Sequence, residues 1–497
     1  MQLLGSECQD MDIALSEIMG LTFAQYLADF ASTKGVQTGN ISKIAQNPDQ
    51  SKHLETATFK LFGFDLDLVN LRAEEYAESS RIPTEVSFGT PLQDALRRDL
   101  TINALFYNVH TRKVEDFTEK GLDDLKNGIV RTPLPPKETF LDDPLRVLRC
   151  IRFASRYGFD IVPEIADAAK DLVVQEALVT KVARERVGTE FYKMITGRNP
   201  LRSIELIHEF NLYHAIFSVL PPDSKDLLSH TPEYITSSLA ASSILSLLLG
   251  RETAQTSDIP ALHPLLLSAT KADPSCISRL YLGATLTPSR GITYKDKKQK
   301  DQPVVELLIR ESVKLGTQNH YLDGVPLLFV ASEMIKQPSL DKFSHPSKRV
   351  ALGKMLREKA VHNPHTGSHW SSSFLFSLVQ ELVPLYNVRE RSLDVQGVTQ
   401  IMKLYNAFAD CVEKLGLADT GDAKYLLTGR EVQQALEVPK AGPWIGEALN
   451  KVFDWQLDHP EGTKDECIEW LKQLRDSGKL KITDNKSEPP AKKIRMK

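Results

Sequence analysis

Apolar–polar alternation, the pattern of half-buried strands, is confined to about the first 130 residues of this chain. A Pro-rich hinge within GLDDLKNGIVRTPLPP closes that part, and from Pro144 onward helical spacing dominates while strand signals become rare. This change of period restricts the fold to an α/β head followed by a mostly helical body. A length of 497 residues exceeds what one hydrophobic core supports, so two to four domains are expected. No run approaches ~18 consecutive apolar residues, so neither a membrane span nor a membrane partner is expected.

Within the head, Met11 to Leu15 reads as a short strand and Phe62 to Leu71 as a second, interrupted by Asp65 and Asp67. Phe23 to Phe30 reads as a helix. A clearer helix starts at Thr90: Thr90 is the N-cap, Pro91 fills the first helical position and Gln93 completes a capping box. Its apolar residues Leu92, Ala95, Leu96, Ile102, Leu105 and Phe106 carry the expected helix to near Asn108. Val114 to Phe117 is a further strand. Asp143-Pro144 repeats the cap-then-Pro signature and opens a helix to about Tyr157, with more helices expected over 163–176, 183–196 and 201–209. The lysine-rich stretch 286–303 reads as a surface loop. The tail KSEPPAKKIRMK reads as disordered, and its basic end fits a nuclear import signal.

Lys plus Arg total 61 against 65 for Asp plus Glu, a formal charge of -4. Nucleic-acid binding therefore has to come from local stretches rather than from net charge. Five cysteines (Cys8, Cys150, Cys276, Cys411 and Cys467) are scattered with no CxxC pair, which signals neither a zinc site nor a disulfide framework and suits a reducing compartment. The N-terminal residues MQLLGSECQDMD carry no basic presequence and no signal-peptide pattern.

Asp10 and Asp12 stand two apart at the opening of the apolar strand QDMDIAL, so period two puts them on one face with Cα atoms roughly 6–7 Å apart. Two such carboxylates repel unless a cation lies between them, and a pair of Mg²⁺ ions there can activate a hydroxyl and clamp a leaving phosphate. A lone DxD is more often a turn or a solvated face; the rest of the head tips the balance. Asp67 is expected to approach the pair from a neighbouring strand. Arg97, Arg98 and Asp99, with Asn103 one turn later, offer guanidiniums to a triphosphate and polar groups to a sugar. Arg146, Arg149, Arg152 and Arg156 recur at helical spacing as one basic stripe, a lining for a nucleotide or RNA channel, while Leu145, Leu148 and Ile151 pack inward. Asp143 and Arg146 place an acceptor beside donors, which matches the edges of cytosine and adenine and opposes those of uracil and guanine. Arg184, Glu185, Arg186 and Glu190 form another charged helix, with Val187, Phe191 and Met194 on its apolar side, expected to support the first through ion pairs.

The ordered segments QDMDIAL, SKHLETATFKLFGFDLDLVNLR, FGTPLQDALRRDLTINALFYNV, VEDFTEKGLDDLKNGIVRTPL and FLDDPLRVLRCIRFASRYGF resemble the class II CCA-adding enzymes, the tRNA nucleotidyltransferases, in their fungal form. LLTGREVQQALEVPKAGPWIGEALNKVFDWQLDHPEGT is similar to the end domain of that family, so the likeness runs from Leu3 to about Leu474. The resemblance implies a polymerase-β-like head with a mixed sheet over residues 1–135, a helical neck over 136–215, a body over 216–400, a tail over 401–480 and a disordered basic end over 481–497. By the same resemblance Asp10 and Asp12 hold the metal, and Arg97, Arg98 and Asp99 bind sugar and phosphate. Asp142, Asp143 and Arg146 stand in the Glu-Asp-x-x-Arg base-selecting motif, with Asp142 replacing the usual Glu. Arg184, Glu185 and Arg186 fit the supporting helix motif. Nucleotide contacts are expected at Asn103, Arg149, Arg184 and Arg186 as well. The implied reaction adds CTP twice and ATP once to immature tRNA, with Mg²⁺ as the metal and no nucleic-acid template.

One departure stands at the beginning. Family members carry a strand and a Gly-Gly-x-x-Arg-Asp loop before the Leu-Leu-Gly matched by Leu3, Leu4 and Gly5, so the head is expected to be N-terminally incomplete. Three accounts fit: an upstream start completing an active protein, a short isoform with weak or lost activity, or a chain sharing the task with a second nucleotidyltransferase. The competing functions are CC-only or A-only addition, a related poly(A) polymerase, and RNA binding without catalysis. Cytoplasm, nucleus, or both are expected, with mitochondrial import if an upstream start exists.

Overall fold

The computed structural model describes residues 2–5, 10–44, 56–76, 83–220, 228–229, 235–251, 259–296, 298–343 and 347–480. The chain divides into two compact units, one of Met1–Ser242 with Thr285–Leu322 and the other of Ser243–Ala284 with Asp323–Lys497. The basic tail read from the sequence lies outside the described residues.

The first unit opens with β1 (Asp10–Leu15), α1 (Gly20–Thr33), β2 (Ser42–Ile44), β3 (Thr56–Leu61) and β4 (Phe64–Asn70). The strands form a mixed sheet in the order β1-β4-β3-β2, with β1 parallel to β4 and the other pairs antiparallel. The sequence expectation of a strand from Phe62 needs correction. Phe62 and Gly63 both have positive φ (51° and 84°) and form the two-residue turn of the β3–β4 hairpin, so β4 starts at Phe64. Leu66 and Leu68 point inward with Leu15, Ala57 and Phe59 and pack against Ala24 of α1. Alternation then sends Asp65 and Asp67 to the opposite face, away from the helix. Asn70 stitches the sheet to the loop after β1 by donating to the carbonyls of Leu15 and Ile18, at 3.3 and 2.7 Å.

Next come a hairpin of β5 (Arg72–Tyr76) and β6 (Pro83–Phe88), then α2 (Pro91–Leu96) with its Thr90–Gln93 capping box in place. α2 stops at Leu96 rather than near Asn108. Leu100 is extended and fully buried, and Leu105–Asn108 forms β7, which pairs with β8 (Lys113–Asp116). Aromatic and apolar residues that fit a helical face serve a hairpin here, because ladder pairing and burial override local propensity. α3 (Gly121–Asn127), β9 (Ile129–Val130) and α4 (Pro136–Asp142) lead into α5 (Leu145–Tyr157), after which β10 (Asp160–Ile161) returns to pair with β9. The helix expected over 163–176 is two, α6 (Pro163–Lys170) and α7 (Leu172–Lys181). They break at Asp171, whose side chain accepts from the Val173 amide at 2.9 Å. α8 (Arg184–Ile195) and α9 (Pro200–Glu209) follow, and α5, α8 and α9 pack on one another through Val147, Leu148, Ile151, Val187, Phe191 and Ile204. The lysine-rich stretch is a hairpin rather than a plain loop: Thr293–Lys295 pairs with Asp301–Pro303, and Asp296 accepts from the amides of Lys298 and Lys300 at the turn.

Among its described residues the second unit is helical apart from the short Tyr386–Asn387 and Ser392–Leu393 pairing and a single bridge between Asn363 and Ser368. One of its cores gathers Leu427, Val432, Trp444, Val452, Trp455, Cys467 and Leu471. Capping boxes at Thr428 and Thr463 start two of the helices that enclose it. Among the described residues no helix is long and apolar enough to cross a membrane.

Gly188 lies where α8 meets the chain at Val313, and a Cβ there would fall 1.7 Å from the Val313 carbonyl oxygen. Gly188→Ala is expected to lower unfolding free energy by about 3 kcal/mol, because backbone rather than a flexible side chain must move. Urea denaturation measures this; a change within roughly 0.5 kcal/mol of the parent would show that α8 does not need so close an approach.

Candidate active site

Register, more than proximity in sequence, assembles the acidic face. In the parallel β1–β4 pair, Asp10 stands opposite Asp65 and Asp12 opposite Asp67. Adjacent strands lie roughly 4.8 Å apart, so the second row brings Asp12 and Asp67 side by side on the face that α1 leaves open. Asp12 is exposed and Asp67 half-buried. Asp65 is already engaged by Lys60 at 3.3 Å, whereas Asp12 has no ion-pair partner among the described residues. Hard oxygen donors presented together in this way are the ligand set that Mg²⁺ takes.

The arginines after α2 are held from below by Asp94, 1% exposed, a residue that sequence reasoning passed over. Arg97 Nε donates to its Oδ1 at 2.9 Å, while Arg98 Nε and Nη2 donate to its Oδ2 at 3.0 and 2.9 Å. Asp94 sits three and four residues before these arginines, the spacing of neighbours on one helical face, and that was the available signal. Arg98 also lies over the Phe106 ring, 5.2 Å from its centroid, and donates to the Asn103 carbonyl at 3.1 Å. Both guanidiniums are thus fixed in direction while staying partly exposed. Asn103 donates to Asp99 at 3.2 Å, so these two meet as expected although no helix joins them.

α5 meets this cluster through its arginines, and here the open basic stripe needs correction. Arg146 is 9% exposed and donates to the carbonyls of Arg97, at 2.6 Å, and Thr139, at 3.4 Å. Arg149 Nε donates to Asp99 at 2.6 Å and Arg152 Nε to Glu190 at 2.5 Å, with Glu190 only 3% exposed. Burial works against the charge of Arg149, yet neighbouring Asp99, Glu190 and Asp143 hold its pKa above the ordinary value. Cys150, next along the helix, is fully buried and its thiol is pushed far up, so it serves packing rather than chemistry. The stripe is therefore mostly an internal lock. Periodicity identified its face but not the carboxylates that other segments bring to it.

Asp143 faces a different arginine from the one expected. Its carboxylate accepts from Arg186 of α8 at 2.9 Å and from the Leu145 amide at 3.3 Å, while only the main chain of Arg146 reaches Asp143. Asp142 is half-buried at the end of α4. Arg184, expected at the nucleotide, is turned away from this cluster: it donates to the carbonyls of Ser312 at 2.6 Å, Ala215 at 3.0 Å and Ile216. Burial lowers its pKa to about 10, and the neighbouring Glu185 carboxylate offsets only part of that fall. That is a framework contact, and it replaces the expected nucleotide contact.

Residues 2–131 match the family described as Poly A polymerase head domain, and residues 158–223 the one described as Probable RNA and SrmB- binding site of polymerase A. The chain is 36% identical, over 95% of its length and 86% of the relative, to a Saccharomyces cerevisiae protein called CCA tRNA nucleotidyltransferase, mitochondrial. A solved CCA-adding enzyme in complex with CTP superposes with a TM-score of 0.57 at 20% identity, covering 96% of this chain and 88% of its own. A Thermotoga maritima CCA-adding enzyme complexed with tRNA gives 0.55 at 19%, with 95% and 88% covered. At such identities the structural likeness is one of fold.

Glu190→Gln would leave Arg152 buried without its counter-charge and is expected to cost about 3–5 kcal/mol of stability. Adding Arg152→Met removes the orphaned cation and is expected to restore much of the loss. Chemical denaturation of both variants tests the lock; a single-variant loss under about 1 kcal/mol would show that the pair is not held out of water.

Proposed function

This chain belongs to the CCA tRNA nucleotidyltransferase family, and we propose that it adds C and A to the 3′ end of tRNA from CTP and ATP, with pyrophosphate leaving. The observation that carries this reading is the register of β1 on β4, which aligns Asp12 with Asp67 on the open face of the head sheet.

Asp10, Asp12 and Asp67 would hold Mg²⁺. When bound, the metal activates the RNA 3′-hydroxyl and neutralises charge on the departing pyrophosphate. Arg97 and Arg98, preset by Asp94, bind triphosphate oxygens, and little reorganisation is needed because their directions are already fixed. Asp99 and Asn103 receive the sugar, with Arg149 positioning Asp99. Asp143 accepts from the amino group that cytosine and adenine share. Arg146, on releasing one of its carbonyls, donates to the adjacent ring nitrogen, while Arg186 holds Asp143 in place and Asp142 supports the same turn. Arg184 keeps α8 seated on the chain at 215–216 and 312. The relative named as mitochondrial supports an organellar pool of this enzyme.

Three outcomes are expected. On tRNA ending before CCA, CTP alone gives products two nucleotides longer and CTP with ATP gives three, sized on a sequencing gel. Unlimited AMP addition would instead mark a poly(A) polymerase, a product stopping short even with both triphosphates a divided CC or A activity, and tRNA binding with no product a catalytically impaired form. Asp12→Asn is expected to slow incorporation by roughly 10³-fold, about 4 kcal/mol of barrier, with tRNA affinity unchanged. Full activity in that variant would remove the metal assignment. Asp143→Ala is expected to admit UTP or GTP, read as misincorporation in the same assay; undiminished selectivity would transfer base choice to other residues.

A further inference from the structure

A short loop in the second unit brings two histidines face to face. Asn363 and Ser368 exchange both main-chain hydrogen bonds, at 2.8 and 3.0 Å, so His362 and His369 on either side of them stand opposite one another. The two imidazole rings lie 5.1 Å apart between centroids. The turn Thr420–Asp422, from a later stretch of the chain, closes over them. Gly421 allows this, because a Cβ there would sit 2.6 Å from the His362 ring. Asp422 Oδ1 is thereby 3.0 Å from His362 Nε2, and one donor atom from each of the three residues lies within 4.8 Å of the others.

The plain alternative is a hydrogen-bonded clasp, in which His362 Nε2–H donates to Asp422 while Nδ1 accepts from the Trp370 amide at 3.4 Å. A clasp leaves His369 as a helix cap alone. Its Nδ1 faces the Ser371 hydroxyl and amide at 2.8 and 3.1 Å, and its Nε2 has no hydrogen-bond partner among the described residues. Nor does any lysine or arginine among the described residues pair with Asp422. In the other grouping of this kind, His263 with Asp410 and Glu413, Lys414 already sits on Asp410 at 2.5 Å. A cleft of 330 Å³, with His369 and Trp370 in its wall and Asp419 beside them, gives an ion a way in.

We infer that His362, His369 and Asp422 form a site for a divalent transition-metal ion, Zn²⁺ by the chemistry of the donors. Two imidazoles and a carboxylate suit Zn²⁺, whereas Mg²⁺ takes oxygen ligands, so this site differs in kind from the acidic face of the head. Bonds of about 2.0–2.2 Å set donor atoms roughly 3.3 Å apart. His362 and Asp422 already stand at 3.0 Å, and the Asp422 side chain, 60% exposed, has room to swing toward His369. Binding moves one proton within each ring, from Nε2 to Nδ1. At His369 the Ser371 hydroxyl, itself held by Ser268 and the Ala269 amide, accepts from the new Nδ1–H. At His362 only the long Trp370 contact is given up. A water takes the fourth position. The ion ties the loop at 362–369 to the turn at 420–422, a cross-link inside the second unit that nucleotide addition does not require.

The test uses the full chain, stripped with EDTA and titrated with Zn²⁺ against a chromophoric chelator. Asp422→Asn keeps an oxygen for the His362 hydrogen bond but removes the anionic ligand, so it separates an ion site from a clasp. The parent is expected to bind one more tight Zn²⁺ per chain than Asp422→Asn or His369→Gln, with affinity at that site falling roughly tenfold or more in each variant. Loading with Co²⁺ is expected to give the visible bands of a four-coordinate nitrogen–oxygen site in the parent and in neither variant. Should His369→Gln fold poorly, Asp422→Asn, altered at an exposed side chain, decides alone. An unchanged Zn²⁺ count and affinity in the folded variants overturn the inference. Loss of the extra ion in Asp12→Asn instead of Asp422→Asn also overturns it, by placing that ion on the head sheet.

Discussion

A carboxylate almost sealed from water, Glu190, holds the first unit to its purpose. Removing such a charge from water costs several kcal/mol, and only well-placed partners recover it. Arg152 supplies the direct bond, and Arg149 stands near while it reaches across to Asp99. One continuous ionic path therefore runs from the turn after α2, through α5, into α8. The three segments come from separate stretches of sequence, and the path gives them one relative placement. Asp94 does the same on the near side by orienting Arg97 and Arg98, and Arg146 closes the circuit through the Arg97 carbonyl. The polar residues of this cluster are thus largely satisfied by one another, which makes it a prepared frame for the proposed nucleotide site.

Much of this was legible in residues alone, and the parts that were not share a cause. The strand at Asp10–Leu15, the Thr90 capping box and the helix from Leu145 to Tyr157 are stated locally, by alternation, by a cap and by apolar spacing. The end of α2 is not local: Leu100 is buried, β7 finds its partner in β8, and a distant guanidinium takes the Arg97 carbonyl. The stripe of Arg146, Arg149 and Arg152 was visible as a pattern, but the carboxylates that meet it come from Asp99 and from Glu190, 38 residues beyond Arg152. Likewise Arg186 rather than Arg146 reaches the Asp143 side chain, a pairing that spans 43 residues. Helical periodicity assigns a residue to a face without saying what that face will meet.

The acidic face shows the same division between local and distant information. Each DxD pattern, at Asp10–Asp12 and at Asp65–Asp67, announces two acids on one side of a strand. Only the parallel pairing of β1 with β4 matches the rows, and a slip of one residue would turn one pair toward α1. The buried residues Leu66 and Leu68 forbid that slip, so hydrophobic packing on one side of the sheet sets the spacing of charge on the other.

Arg184 binds carbonyls at Ala215 and Ile216 together with Ser312, and residues 285–322 belong to the first unit although the chain leaves it at Ser242. During synthesis this guanidinium therefore waits for its last acceptor. Ninety-six residues separate Ile216 from Ser312, which at ~5–20 residues per second is a delay of roughly 5–19 s on the ribosome. Through that interval the emerging protein carries a half-buried cation short of one carbonyl, a state in which a chaperone has time to act.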